Sequence, residues 1–171
     1  MKKLESKSIE QLLSIIPEHP ATRIMHISDG GEELSDSFRD FVEKHDYEYL
    51  LNTPSEEFFP KAKERYAESK HCIIKKIKLQ QRNYASMAKR YDYLFVTADI
   101  PEEMQEEFTK RVHPHIKNAG NIILFLPKND LMILDRWRGY LEENFYVAIN
   151  NIDMFENYEI LIAKKMHGWG G

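Results

Sequence analysis

The stretch YDYLFVTAD, residues 91–99, is almost unbroken apolar sequence that ends on a carboxylate, and NIILFLP, residues 121–127, repeats the pattern without a charge. A strand with one wet face alternates apolar and polar residues; continuous hydrophobicity over this length marks strands covered on both faces. Such strands belong to a parallel sheet, whose neighbours must be joined by crossovers, usually helices. The intervening residues supply one: Met104, Phe108, Val112 and Ile116 recur at roughly helical spacing in a segment that begins near Asp99, Pro101 and Glu102, and Pro114 should bend or restart it. Upstream, TRIMHIS (22–28), YEYLLN (47–52) and HCIIKKIKL (71–79) read as strands. Asp29, Gly30 and Gly31 break the first, and Leu34, Phe38, Phe41 and Val42 then stripe a helix up to His45. Pro54 and Ser55 start another, with Phe58, Phe59, Ala62 and Tyr66 as its apolar members, and NYASMAKRY (83–91) reads as a brief helix. Ile9, Leu12, Leu13 and Ile16 mark an opening amphipathic helix closed by Pro17 and Pro20. Downstream, DLMILDRWRGYLEEN (130–144) is helical, and FYVAINN (145–151) and YEILIAKK (158–165) are strands joined only by IDMFEN (152–157). That link is too short for a crossover, so the last two strands pair antiparallel. The expected fold is a three-layer α/β sandwich: a seven-stranded, mostly parallel sheet with an antiparallel last strand.

No repeat, low-complexity tract or linker divides the sequence, so residues 1–171 form one domain, with an N-terminal helical segment at 1–20 and a Gly-rich tail at 165–171. The composition, 42% hydrophobic and 30% charged, is that of an ordinary globular core and surface. With 28 acidic residues against 24 Lys and Arg and a net charge of -4, nothing indicates nucleic-acid binding through phosphate neutralisation. Cys72 is the only cysteine, which excludes an intramolecular disulfide and a multi-cysteine zinc site and fits a reducing compartment. The apolar runs fall short of the roughly 20 residues that span a bilayer. SIEQLLSIIPEH (8–19) is interrupted by Glu10, Gln11 and Pro17, unlike a signal-peptide core. The expectation is a cytoplasmic protein with no membrane partner; self-association as a homo-oligomer is compatible with it.

This order of elements resembles that of class I S-adenosylmethionine-dependent methyltransferases. YDYLFVTADI looks like the family's fourth strand, which ends in an acidic or polar residue at the pocket. VHPHIKNAGNIILFLPK (112–128) is similar to the following helix, Gly-containing turn and fifth strand, with Asn118, Ala119 and Gly120 where many members have Pro-Gly-Gly. The resemblance implies a Rossmann-like fold, S-adenosylmethionine as cofactor and methyl transfer as the reaction. It also maps a cofactor site onto HISDGGE (26–32): His26 takes the family's acidic position, Ser28 the first glycine, Gly30 the second and Glu32 the third, with Asp29 and Gly31 completing the turn. Only Gly30 is kept, although Gly31 beside it preserves backbone freedom. Asn52 stands at the ribose-binding carboxylate, Gln81 (or Gln80) at the adenine-binding acid, and Asp99 at the pocket end of the fourth strand. An asparagine accepts through one uncharged oxygen. A charge-assisted hydrogen bond contributes roughly 1.5–3 kcal/mol against about 1 for a neutral one, so two weakened anchors lower affinity about tenfold or more.

Each candidate has a structural alternative. Asp99 with Glu102 three positions on can cap a helix. Asp29, Glu32, Glu33 and Asp36 suit the positive end of a helix dipole. His26 can be a hydrogen-bonded, partly buried histidine, and Trp137, between Arg136 and Arg138, the aromatic on the buried side of a surface helix rather than a base-stacking platform. His113 and His115 lack a third ligand, so no metal is expected. The tail KKMHGWGG (164–171) either covers a sheet edge, orders on a partner or frays. No residue declares itself a catalytic base. TADIPE (97–102) replaces the family's nucleic-acid amino-methylating motif, an Asp or Asn followed by Pro-Pro and an aromatic, which leaves the acceptor open between small molecule and macromolecule. Two functions follow: a small methyltransferase, or a methyltransferase-like scaffold without cofactor that serves as an interaction or regulatory subunit. A dinucleotide enzyme fits less well, because the first turn lacks G-x-G-x-x-G spacing.

Overall fold

The computed structural model describes residues 1–166. Its elements, in chain order, are α1 (Ser6–Ser14), β1 (Arg23–Ile27), α2 (Glu32–His45), β2 (Glu48–Thr53), α3 (Phe58–Arg65), β3 (Cys72–Lys76), β4 (Tyr91–Val96), α4 (Gln105–Val112), β5 (Ile116–Pro127), α5 (Leu131–Glu143), β6 (Tyr146–Ile152) and β7 (Tyr158–Lys165). The strands form one sheet in the order β3-β2-β1-β4-β5-β7-β6, in which β7 runs antiparallel to both neighbours and the β1–β5 pairs are parallel. The three-layer α/β sandwich expected from the sequence is therefore the architecture.

Alternation along each strand builds two cores. Ile24, Tyr49, Leu51, Phe95 and Ile123 pack with Leu12, Phe38 and Ala62 of α1, α2 and α3, while Met25, Ile27, Leu94, Val96 and Leu124 pack with Phe108, Trp137 and Leu141 of α4 and α5. Each fully buried side chain of this kind contributes roughly 1.5–3 kcal/mol, so neither face of β4 or β5 tolerates the polar residues that alternation on a wet sheet would allow. Strand order reverses between β1 and β4, since the chain runs outward from β1 to β3 and then returns to the other side of β1. In open α/β sheets the ligand crevice lies beyond the carboxyl ends of the strands at such a reversal.

Three local expectations are corrected. Residues 83–91 form no helix; they run through turns and bends into β4. The backbone of Tyr84 is committed elsewhere: its N–H donates to His115 Nε2 at 3.2 Å and its carbonyl accepts from Asn52 Nδ2 at 3.1 Å, while the side-chain hydroxyl donates to the Leu79 carbonyl at 2.7 Å. Groups bonded to distant side chains cannot complete a helical ladder. The turn at Asn118–Gly120 lies inside β5 as a bulge, where the register against β4 shifts between Tyr91↔Ile116 and Tyr93↔Asn121 and Ala119 adopts φ 65°. Asp99 does not cap the segment that follows it: this begins as a 3₁₀ turn at Glu102–Met104 without a side-chain cap. Pro114 restarts the chain as a second 3₁₀ turn, His113–His115. Of the tail expected at 165–171, all but Lys165 and Met166 lies outside the described residues; Lys165 is buried at the end of β7, its Nζ donating to the carbonyls of His113 and Ile116 at 3.0 Å each.

Candidate functional site

The turn after β1 is held by its own polar groups. Ser28 N–H donates to the Asn52 carbonyl at 3.0 Å, and Ser28 Oγ donates to the Gly30 carbonyl at 2.6 Å while accepting from Gly30 N–H at 3.2 Å. Gly31, at φ 90°, starts α2 in a conformation that side-chain-bearing residues rarely adopt. Asp29 projects from the turn toward β4, where its Oδ2 accepts the Asp99 N–H at 2.9 Å; the Asp99 side chain itself is exposed. The two aspartates thus bracket the reversal between β1 and β4.

Two cavities flank this turn. One, about 410 Å³, opens between the carboxyl ends of β4 and β5 and the start of α5; Asp29, Thr97, Asp99, Gln105, Ile133 and Trp137 line it. The other, about 690 Å³, lies over the starts of α2 and α3 and includes Gly30, Gly31, Ser55 and Lys61. Residues 1–4 run between them: Lys2 N–H donates to Tyr158 Oη at 2.7 Å, Leu4 N–H donates to Glu33 Oε2 at 3.2 Å, and Met1 and Lys2 border both cavities. Met1 lies directly against Gly31, its Sδ 2.7 Å from where a Cβ would stand.

Of the residues taken from the sequence as cofactor ligands, Asp29, Gly30, Gly31 and Asp99 come together at these cavities. His26, Ser28 and Asn52 are buried and border neither. His26 sits on the α1–α3 side of the sheet against Phe38, with Nδ1 2.7 Å from Tyr49 Oη and Nε2 2.8 Å from Thr97 Oγ1. A neutral ring satisfies both contacts, one nitrogen donating and the other accepting. Burial holds it neutral, lowering its pKa to about 3. Through Nε2 it nevertheless fixes Thr97, which does line the smaller cavity. Asn52 spends Nδ2 on the Tyr84 carbonyl, and its Oδ1 is buried without a partner. Gln81 instead pins residues 78–83, accepting from Lys78 N–H at 2.8 Å and donating to the Asn83 carbonyl at 2.7 Å.

Of the acidic cluster on α2, Glu32 and Glu33 line the larger cavity, whereas Asp36 is engaged by α3 and the residue that ends it. Asp36 pairs with Arg65 at 2.6 Å and accepts from Tyr66 Oη at 2.9 Å, and the Arg65 hydrogen bond holds its carboxyl below the usual range. Among the described residues no three His, Cys, Asp or Glu side chains approach closely enough to hold a metal, and no helix is long and apolar enough to cross a membrane. Trp137 lies, as one of its two sequence readings has it, on the buried side of α5, edge-on to Phe108 at 6.2 Å, and also lines the smaller cavity. One lining residue, Gln105, was not read from the sequence. Gln105 was detectable: with Phe108 and Val112 it shares the i, i+3, i+7 positions of the buried face of α4, where a polar side chain is out of place.

A sheet that reverses between β1 and β4 and closes with an antiparallel β7 decides the comparison. The chain has the class I S-adenosylmethionine-dependent methyltransferase fold. It superposes on the S-adenosylmethionine-dependent O-methyltransferase of Thermotoga maritima with a TM-score of 0.73 at 14% identity, over 97% of this chain and 67% of that one. Against the precorrin-6y C5,15-methyltransferase of Geobacter metallireducens GS-15 the TM-score is 0.68 at 17% identity, over 96% and 92% of the two chains. The CurJ carbon methyltransferase gives 0.70 at 13% identity over 92% of this chain, which spans 52% of that protein's length. Identities this low establish the fold alone. No protein-family model matches the sequence, and no curated protein sequence does.

Proposed function

We propose that the chain binds S-adenosylmethionine at the carboxyl ends of β1 and β4 and transfers its methyl group to an acceptor. Likeness of fold is an analogy; what carries the reading here is the crevice itself. Asp29, at the strand-order reversal, and Asp99, at the end of β4, stand on the wall of a cavity of about 410 Å³ that opens beside the reversal toward the end of β5, inside the range of about 300–1,000 Å³ usual for small-molecule sites. The residues fit the cofactor in part. The Gly30–Gly31 turn offers backbone without side chains, and the exposed Asp99 carboxylate can accept from an amino-acid ammonium. The orphaned Asn52 Oδ1 lacks a donor such as a ribose hydroxyl would bring, although the Tyr84 segment must yield before a ligand reaches it. Bound cofactor would supply a methyl group on a positively charged sulfur. The chain's part is alignment: Asp29 holds the Asp99 backbone, His26 holds Thr97, and Trp137 keeps water from one wall.

Isothermal titration tests this directly. Heat is expected with S-adenosylmethionine and S-adenosylhomocysteine, and Asp99→Ala should weaken both about tenfold, the value of one charge-assisted contact. Absence of heat at near-millimolar ligand with folded protein would sink the proposal. A specific observation favours the second reading, a scaffold without cofactor: Asn52 is closed over by Tyr84, and residues 1–4 lie across the glycine turn. That reading expects no heat, and methyl transfer by the wild-type chain would overturn it.

A further inference from the structure

Residues 69–91 hold seven of the chain's 24 Lys and Arg and none of its 28 Asp and Glu, so the net charge of -4 conceals a segregated basic stretch. Its course is set at both ends of β2. Ile77 N–H donates to the Thr53 carbonyl at the end of that strand, and Lys89 Nζ pairs at 2.8 Å with Glu48 at its start. Residues 78–88 therefore run back along β2, a distance of about 20 Å at roughly 3.3 Å per residue. Ile77, Leu79, Tyr84 and Ala85 turn inward onto the core shared with α4 and α5. β3 is the edge strand beside them. Ile74 faces the α1–α3 side, so Ile73 and Lys75 lie on the opposite face, and with loop rather than helix at residues 83–91 both are exposed.

Lys76 and Lys89 are paired with Glu56 and Glu48, whereas Lys75, Lys78, Arg82 and Arg90 are exposed and have no ion pair among the described residues. On the adjoining α4, Glu106 and Glu107 pair with Lys110, and Arg111 adds a charge beside the loop, its Nη1 donating to the Leu79 carbonyl at 2.8 Å. Lysines on an edge strand deter edge-to-edge pairing, but Lys75 and Lys76 meet that need and leave Arg82 and Arg90, in the loop, without a use. Charges act over about 10 Å at 0.1 M salt, so a partner lying along this strip responds to the four cations rather than to the net charge of the whole chain. The polar side chains exposed among them, Gln80, Asn83 and Ser86, are of the types that contact phosphate and sugar. A protein partner or a membrane calls for an apolar centre, and the large apolar residues exposed here are Ile73 and Met87. Single strands stack on exposed aromatics, whereas Tyr84 and Tyr91 are buried. We infer that the strip formed by β3 and residues 78–90 binds the phosphate backbone of duplex nucleic acid without reading its sequence. None of the four cations lines either cavity, so this surface is separate from the crevice at β1 and β4 and needs no cofactor.

The test is fluorescence anisotropy of a labelled DNA duplex of about 20 base pairs and mixed sequence, titrated with the full chain. A Kd of about 1–100 μM is expected near physiological salt. Four neutralised phosphates give a slope of about -3.6 in log K against log salt, which is about a hundredfold loss of affinity between 50 and 200 mM. The triple variant Lys75→Gln, Lys78→Gln, Arg82→Gln should flatten that slope by about 2.7, at about 0.9 per charge removed. Should it fail to fold, Arg82→Gln alone should flatten the slope by about 0.9. Lys7→Gln, Lys44→Gln, Lys63→Gln removes the same net charge from exposed positions on α1, α2 and α3, which cover the other face, and should leave binding unchanged. Equal loss in the two triple variants, or no binding by the folded wild-type chain at about 50 mM salt, overturns the inference. So does tighter binding to phosphatidylserine vesicles or to an Asp- and Glu-rich peptide than to the duplex, which would give the strip to a membrane or to an acidic protein.

Discussion

Lowering the pH from 7 to 4 is expected to cost the folded chain about 3 kcal/mol through His26 alone, at about 1.4 kcal/mol per unit of pKa difference. Burial keeps this imidazole neutral down to about pH 3, whereas a histidine in the unfolded chain takes up a proton near 6.5. Between those values the unfolded state binds more protons, so the stabilisation is fully present above about 6.5 and is lost as the pH falls toward 3. His113, lowered to about 4 chiefly by burial with the Lys165 charge assisting, and His115, lowered by burial, act in the same direction. Asp36 is held below the ordinary carboxylate range by Arg65 and contributes its loss at the acid end of the window. Urea unfolding at a series of pH values measures the effect as a falling midpoint at constant slope. His26→Gln isolates the largest part: an amide can bond to both Tyr49 and Thr97 but does not titrate, so the pH dependence between 6.5 and 4 should flatten whatever the variant's absolute stability. A wild-type midpoint that is level from pH 7 to 4, or an unchanged dependence in His26→Gln, would contradict the burial argument.

The position of His26 also shows what the sequence could reveal. Side chains alternate along β1, so His26 shares a face with Ile24 and opposes Met25 and Ile27, and that parity already sends the ring toward α2 rather than toward a ligand at the strand's end. Asp29, Gly30, Gly31 and Asp99 were legible for a different reason. They follow the ends of apolar runs, and the carboxyl ends of adjacent parallel strands must lie together. Residues 83–91 were illegible because what shapes them is remote: Tyr84 is bound by Asn52 and His115, each more than 30 residues away in sequence. Local periodicity carries no trace of such partners. The same holds for residues 1–4, whose course across the crevice depends on Glu33 and Tyr158. Gln105 is the intermediate case, a polar residue at a core-facing position that spacing alone could have exposed.

Gly120→Ala is expected to destabilise the chain by about 2–3 kcal/mol, and Gly120→Val by more. An added Cβ would stand 2.8 Å from Ile116 Cγ2, 2.9 Å from the Lys117 carbonyl oxygen and 3.0 Å from the Asp92 carbonyl oxygen. Two of these neighbours are backbone, and the third belongs to a fully buried side chain in the core beneath α4 and α5, so no flexible group can yield. Relief requires the bulge to open, and the bulge sets the register from Tyr93↔Asn121 to Val96↔Leu124. Gly139 provides the opposite control. It lies within α5, and a Cβ added there would have nothing within 4 Å, so Gly139→Ala should stabilise by about 0.5–1 kcal/mol through helix propensity. Thermal or urea denaturation of the two variants compares a glycine kept for space with one that is not, and a neutral Gly120→Ala would refute the steric reading. The consequence reaches the candidate site, because Leu124, Phe125 and Leu126 border the smaller cavity only in the register that the bulge imposes. Any ligand that enters that cavity should therefore bind more weakly to Gly120→Ala even at temperatures where the variant remains folded, while Gly139→Ala leaves binding unchanged.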